Sequence, residues 1–430
     1  LSLDRDFIGY YTLKYLGEII NKSHLNSHQL IFNLEKNSII TTILKFYFKE
    51  MIMSREIPFY KPLITETENQ YIEEVLSLES ASKVEALEKS FGQYIGAEYA
   101  LAVSSGTAAL HLSMCALDLK RGDKVVCSVN SFPDLPEVVR HFDAEPIFVD
   151  CEAEEYNIDL KKLDRVLTEN KSKKLRAVII NHMAGKTTDL EKLYQIAQSH
   201  NVKVIEDASD AMGATYQGQK IGNTGADITT YSFAPHINKS VIQGGMLVTN
   251  DTELYERAKL FRTHAIGDGN GGSYDQVDYL YDVVDIGWKY DMSELNAAFA
   301  LAQFEKLDST ITRRKEIARR YQERLHSVEH LKIPKASDDE IFCQFIVEVD
   351  KNRDHFAKEL KKDGIHTGLH YIPLHFMDYY KKKYSLRVFD FPTALSIYQK
   401  VMSLPIYPAM SDEDVEYVCD SIIKVAKAHI

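Results

Sequence analysis

The sequence predicts an α/β fold built on a large, mostly parallel sheet with helices over both faces. Three observations carry this. Short apolar runs without polar alternation, at residues 124–128, 175–180 and 202–206, are of the kind buried on both sides of a parallel sheet. Segments with apolar residues at helical spacing alternate with them. The length, 430 residues, is enough for two domains around large cores.

The elements follow in order. Between residues 66 and 94 apolar positions recur at helical spacing, as at Tyr71, Val75, Leu76, Val84, Leu87, Phe91 and Tyr94. A short strand over 99–103 ends at Ser104-Ser105-Gly106-Thr107, and a helix follows over 108–117. Strand 124–128, helix 135–142 and strand 146–150 come next, then strand 175–180, helix 190–200 and strand 202–206. Strands 228–233 and 245–249 bracket a further segment. A helix over 292–312 runs on as a basic helix through 325. Residues 341–349 alternate like a half-exposed strand, and 412–428 read as a closing amphipathic helix.

Composition narrows the function. A net charge of −12 argues against nucleic acid as the main partner, since phosphate neutralisation needs a basic face. No apolar run approaches the roughly 18 residues of a membrane span, so no membrane partner is expected. The five cysteines are scattered and show no C-x-x-C spacing, so no metal site is expected and a reducing cytoplasm is the default. Residues 1–50 contain no Ala, Val, Pro or Met, and the first methionines are Met51 and Met53. Two readings stand for the stretch 1–52: a non-native or disordered extension translated from AT-rich DNA, or a helical appendage.

Ligands of open α/β sheets bind beyond the carboxyl ends of the strands. Ser105-Gly106-Thr107 lies between a strand and a helix, where glycine lets the backbone approach an anion and the helix amides stabilise it. A simple helix cap gives the same pattern. Asp207, after strand 202–206, is placed to hold a ring nitrogen protonated, or to cap the next turn. Phe132 is placed to lie against a ring face, or to fill the core.

Taken together, these residues have the order and spacing of the DegT/DnrJ/EryC1/StrS-type sugar aminotransferases, which use pyridoxal 5′-phosphate (PLP). The resemblance spans residues 57–425. It is carried by Ser105-Gly-Thr-Ala-Ala-Leu-His111, Ala184-Gly-Lys-Thr-Thr-Asp189, Glu206-Asp207-Ala208, Ser232-Phe233, Gly244-Gly245 and Asp291-Met-Ser-Glu-Leu-Asn-Ala-Ala298. His370-Tyr-Ile-Pro-Leu-His375 and Leu404-Pro-Ile-Tyr-Pro408 support it. The resemblance implies a PLP-dependent transferase of fold type I, with a large cofactor domain over 53–305 and a smaller C-terminal α+β domain over 306–430. It implies a cytoplasmic homodimer whose active sites lie at the subunit interface, a nucleotide-linked keto-sugar as substrate, an amino-acid donor, and a place in surface-glycan synthesis. It also implies that Gly106, Thr107 and Ser232 hold the cofactor phosphate, that Phe132 stacks on the ring, and that Asp207 pairs with the ring nitrogen. His182, His370 and His375 are candidates for lining the sugar site or for structural roles.

Four departures cluster around one pocket. Asp210 stands where the family has Gln or His, near the cofactor's phenolic oxygen. Lys289-Tyr-Asp291-Met292 replaces Asn-x-Arg-Met; the Asn of that motif reaches the partner's phosphate, so Lys289 is its candidate substitute. Phe132-Pro-Asp-Leu135 replaces Phe-x-Ala-Thr. Where the family has its reactive lysine, five residues after Ser232, this chain has Ile237, with His236 before it and Lys239 two residues on. Three readings stand. In an extended segment Lys239 shares a side with residue 237, about 6–7 Å away, within reach of a lysine side chain; it then supplies the amine that bonds to the cofactor aldehyde. Alternatively His236 shuttles protons, as in the histidine-dependent sugar dehydratase branch of the family, although a one-residue shift reverses its direction. Or the chain is a catalytically inactive binding or scaffold protein.

Overall fold

In the computed structural model the described residues are 55–77, 81–234, 242–267, 281–334 and 340–428. The stretch 1–52 and the residues His236, Ile237 and Lys239 lie outside them. The strands β1 (Tyr99–Val103), β2 (Lys124–Ser128), β3 (Glu145–Val149), β4 (Leu175–Asn181), β5 (Lys203–Asp207), β6 (Ile228–Ser232) and β7 (Gly245–Thr249) form one seven-stranded sheet. Their order is β1-β7-β6-β5-β4-β2-β3. Alternate residues enter opposite cores, as the period of two requires. Val125, Cys127, Ala177, Ile179, Ile205 and Leu247 pack in one. Val126, Val178, Ile180, Val204, Met246 and Val248 pack in the other. This two-sided burial is why the strands lack polar alternation.

The pairs from β3 through β6 are parallel. Strand β7 runs antiparallel to both β6 and β1. The reversal matters for the site. Asn181, Asp207 and Thr230 stand side by side in register, while Ser232 and Val103 both pair with Gly245. The carboxyl ends of β1, β4, β5 and β6 and the start of β7 therefore share one edge.

Three expectations need correction. The helical stretch after residue 66 is two helices, Glu66–Leu76 and Lys83–Ile95, because Ser82 starts a new helix by accepting the Glu85 amide. The long helix after 292 is also two, Glu294–Phe304 and Leu307–Leu325. At the break, Gln303 and Lys306 both bind the fully buried Glu68 carboxylate, and Lys306 Nζ also donates to Thr65 Oγ1 at 2.8 Å. The half-exposed strand over 341–349 is Phe345–Val349, the centre of a three-stranded sheet between Leu331–Lys332 and Val401–Leu404. Phe345, Val347 and Val349 enter a core with Tyr321 and Phe356, and Ile346 a second core on the opposite face. The carboxylate of Asp150, just after β3, ties this region to the main sheet. It accepts the amides of Thr393 (3.1 Å) and Ala394 (2.9 Å) at the start of the helix Pro392–Lys400, and Lys162 Nζ at 2.8 Å. Among the described residues no helix is long and apolar enough to cross a membrane.

His111, on the helix Gly106–Ala116, is enclosed by Phe142 (4.9 Å between ring centroids) and Trp288 (4.6 Å). Burial, and then the neighbouring His141, push its imidazole down to about 4. The unfolded chain therefore binds this proton more readily than the folded one. The associated stability is fully present above about pH 6.5 and is lost as pH falls toward 4. We predict that urea unfolding between pH 7 and 4 loses roughly 3 kcal/mol more in the parent than in His111→Gln. Identical losses in both would place the acid sensitivity elsewhere.

Candidate active site

A cavity of about 480 Å³ opens at the shared strand edge. Its wall includes Gly106, Thr107, Phe132, Asp134, His182, Asp207, Asp210, Ser232 and Tyr371. A larger groove, about 1080 Å³, lies at the opposite ends of β4 and β5. Two of its cations are already paired, Arg176 with Asp123 and Lys203 with Asp227. The convergent polar groups are in the smaller cavity.

At one end of it the helix Gly106–Ala116 begins. Ser105 Oγ accepts the Ala108 amide at 3.0 Å, so the cap expected as an alternative is real. Every residue of this helix is buried except Thr107, which opens into the cavity. Its first amides point there with the positive end of the helix dipole, a site suited to an anion. Ser232, the last residue of β6, stands against Gly106.

Deeper in, Asp207 ends β5. Its Oδ1 accepts the Ser209 hydroxyl at 2.5 Å and the Ser209 amide at 3.1 Å, so it also caps the next turn. Among the described residues no donor meets Oδ2, which is left for a ligand. Burial holds the Asp207 carboxyl above the usual carboxylate range, against the pull of Ser209 and His182. A bound ring carrying N–H⁺ would relieve that cost. Phe132 is 56% exposed, so it is not a core residue, and it meets Tyr371 edge to face at 6.0 Å. The ring end and the anion end thus both fit PLP.

Asp210 lines the same cavity and is buried. Its Oδ2 accepts Gln344 Nε2 at 3.0 Å and its Oδ1 faces Cys343 Sγ at 3.7 Å. Lys289 is outside this cavity; its ammonium pairs with Asp291 at 2.7 Å. Of the three candidate histidines only His182 reaches the wall, and its Nε2 lies 3.3 Å from Glu206. His370 pairs with Ser403 Oγ at 2.8 Å, and His375 is fully buried against Phe376 and Phe391. The sequence reading did not single out Asn181, Ser209, Gln344 or Tyr371. Asn181 carried a signal, since it ends β4 as Asp207 ends β5.

Fold and cavity together define a PLP-dependent transferase of fold type I. The sequence pattern of the DegT/DnrJ/EryC1/StrS aminotransferase family matches residues 62–423. The chain is 34% identical over 386 residues to the uncharacterized protein MJ1066 of Methanocaldococcus jannaschii, covering 87% of this chain and 99% of that one. It is 33% identical over 378 residues to GDP-perosamine synthase of Escherichia coli O157:H7, covering 85% and 97%. The PLP form of Spr1654 from Streptococcus pneumoniae superposes with a TM-score of 0.78 at 24% identity, covering 87% of this chain and all of that one; this likeness speaks for the fold. The chain belongs to the DegT/DnrJ/EryC1/StrS family of PLP-dependent sugar aminotransferases, and PLP is its cofactor.

A Cβ added to Gly106 would lie 2.5 Å from Ser232 Cβ and 2.9 Å from Ser232 Cα. We predict that Gly106→Ala loses roughly 1–3 kcal/mol of stability through forced displacement, and binds PLP more weakly. Parent-like melting and PLP titration would show that the close approach is dispensable.

Proposed function

We propose that this chain transfers an amino group from an amino acid, glutamate in the first instance, to a nucleotide-linked keto-sugar for surface-glycan synthesis. One relative is a GDP-perosamine synthase, and another, 34% identical over 383 residues, is the spore coat polysaccharide biosynthesis protein SpsC of Bacillus subtilis. The observation that carries the reading is the half-buried Asp207 carboxyl, whose Oδ2 meets no donor among the described residues, across one cavity from Gly106, Thr107 and Ser232. In this reading Gly106, Thr107 and Ser232 hold the phosphate, Asp207 the ring nitrogen, and Phe132 covers one ring face. Bound there, PLP supplies an aldehyde that takes up and returns amino groups, and a ring that stores an electron pair. Asp207 keeps the ring nitrogen protonated, which makes that storage favourable. Asp210, held by Gln344, is the group beside the phenolic oxygen. Lys239 is the amine that engages the aldehyde; it is the only lysine between Ser232 and Gly245.

The same reading includes a homodimer. Ile266, Tyr281, Val283, Val284 and Ile286 are exposed, Ile286 at 84%, and Ile266 pairs directly with Val283, which brings exposed apolar residues together. Lys289 follows on the same segment, outside its own cavity, where a second copy seated on this surface would receive it. The five cysteines are free and buried, which suits the reducing cytoplasm.

Two outcomes are expected. Borohydride treatment of the PLP-loaded parent fixes the cofactor to the peptide containing Lys239, and Lys239→Ala abolishes amine transfer while leaving the oligomeric state unchanged. Amine transfer by Lys239→Ala at the parent rate would remove Lys239 from the chemistry. Ile286→Asp shifts the protein from dimer to monomer in sedimentation velocity; an intact dimer would place the interface elsewhere.

A further inference from the structure

Asp134 has no part in the roles above, yet it stands at the phosphate end of the cavity. Its Oδ2 accepts the Thr107 hydroxyl at 3.3 Å, and its Oδ1 is buried without a hydrogen-bond partner. Among the described residues the charged groups that act on it are acidic: Asp207 from the end of β5 and Glu137 from its own helix, Asp134–Arg140. Asp210, His182 and Tyr371 line the same cavity, with His182 turned to Glu206. The described residues of the cavity wall include no lysine or arginine. Burial, and then the Asp207 carboxyl, push Asp134 up to about 7, so it changes charge near neutral pH.

A threonine hydroxyl has a single proton to donate and lone pairs with which to accept. With Asp134 ionised, the Thr107 proton points at Asp134, and the Thr107 oxygen turns its lone pairs to any anion beyond it. With Asp134 protonated, the acid donates to Thr107 Oγ1 and releases the Thr107 proton toward the anion. A phosphate monoester carries about −1.5 to −2 at pH 7 and is repelled by an ionised neighbour as well.

We propose that Asp134 is a positioning residue for the cofactor phosphate: a proton taken from solvent onto Asp134 turns the Thr107 hydroxyl toward that phosphate. Seating the phosphate and protonating Asp134 are then one event. The proposal rests on Thr107 being a phosphate ligand, as in the proposed function. It makes cofactor retention a function of pH, independent of which residue engages the aldehyde.

The test uses the full chain and two probes without an aldehyde. One is 4′-deoxypyridoxine 5′-phosphate. The other is its dephosphorylated counterpart, which keeps the ring nitrogen for Asp207, so the difference between the two reports the phosphate end. Both are titrated calorimetrically across neutral pH in buffers of different ionisation enthalpy. For the parent, affinity for the phosphorylated probe relative to the other falls about tenfold per pH unit above about 7, with uptake of about one extra proton per ligand. Asp134→Asn, whose amide can donate to Thr107 at every pH, keeps that ratio flat and takes up no extra proton. No extra proton uptake by the parent overturns the proposal even if the variant fails to fold, and so do equal pH profiles in the two proteins. Thr107→Val separates the two levels. If it binds the phosphorylated probe as tightly as the parent, the phosphate-site reading fails and the proposal with it. If it loses tenfold or more while the parent takes up no extra proton, the proposal alone fails.

Discussion

The rest of the site depends on the close approach of three pieces of backbone at one sheet edge. A Cβ on Gly245 would lie 2.6 Å from the Tyr231 carbonyl oxygen and 2.7 Å from the Gly106 amide nitrogen. Gly106 in turn rests on Ser232. The returning strand, the preceding strand and the helix start therefore meet with no side chain between them. Only this lets the first helix amides, Ser232 and the strand-end Asp207 open into a single cavity. The arrangement is backed by an aromatic cluster. Phe91 sits 5.0 Å from Tyr231 and 4.9 Å from Phe304 by ring centroids, and the Tyr231 hydroxyl donates to the Ile221 carbonyl at 2.5 Å. Rings packed at such distances resist displacement, so the edge is held from behind as well as by the sheet.

The electrostatics of the cavity follow from what surrounds it. Three carboxyl groups, Asp134, Asp207 and Asp210, line a space whose described wall includes no lysine or arginine. Burial disfavours three negative charges in one place, and the outcome differs by partner. Asp210 is held by Gln344 Nε2. Asp207 engages Ser209 through Oδ1 alone among the described residues. Asp134 Oδ2 accepts the Thr107 hydroxyl, and burial beside the Asp207 carboxyl raises its pKa. Acidity of this kind favours a cationic group and opposes an anion, while the helix N-terminus at the other end favours an anion.

Much of the fold was legible locally. Unbroken apolar runs are buried on both faces wherever they occur, and those runs located the strands. Ser105-Gly106-Thr107 and Asp207 were legible because residues at strand ends are where such sheets bind ligands. Local pattern failed where a distant partner intervened. The helix break at Lys306 depends on Glu68, far earlier in the chain. Residues 345–349 resembled a half-exposed strand, yet cores on both faces cover them. Lys289 and the outlying histidines are placed by packing that no local motif records.

By itself the sequence determined the α/β class, the family and the strand-end residues. These depend on periodicity and on short motifs, which act over a few residues. Only the tertiary structure decided that Asp134 would hold the Thr107 hydroxyl, that Gln344 would hold Asp210, and that β7 would return antiparallel to close the edge. Each of these joins groups remote in sequence. Their pairing is set by which surfaces the sheet brings together, a property of the packed chain and not of any segment.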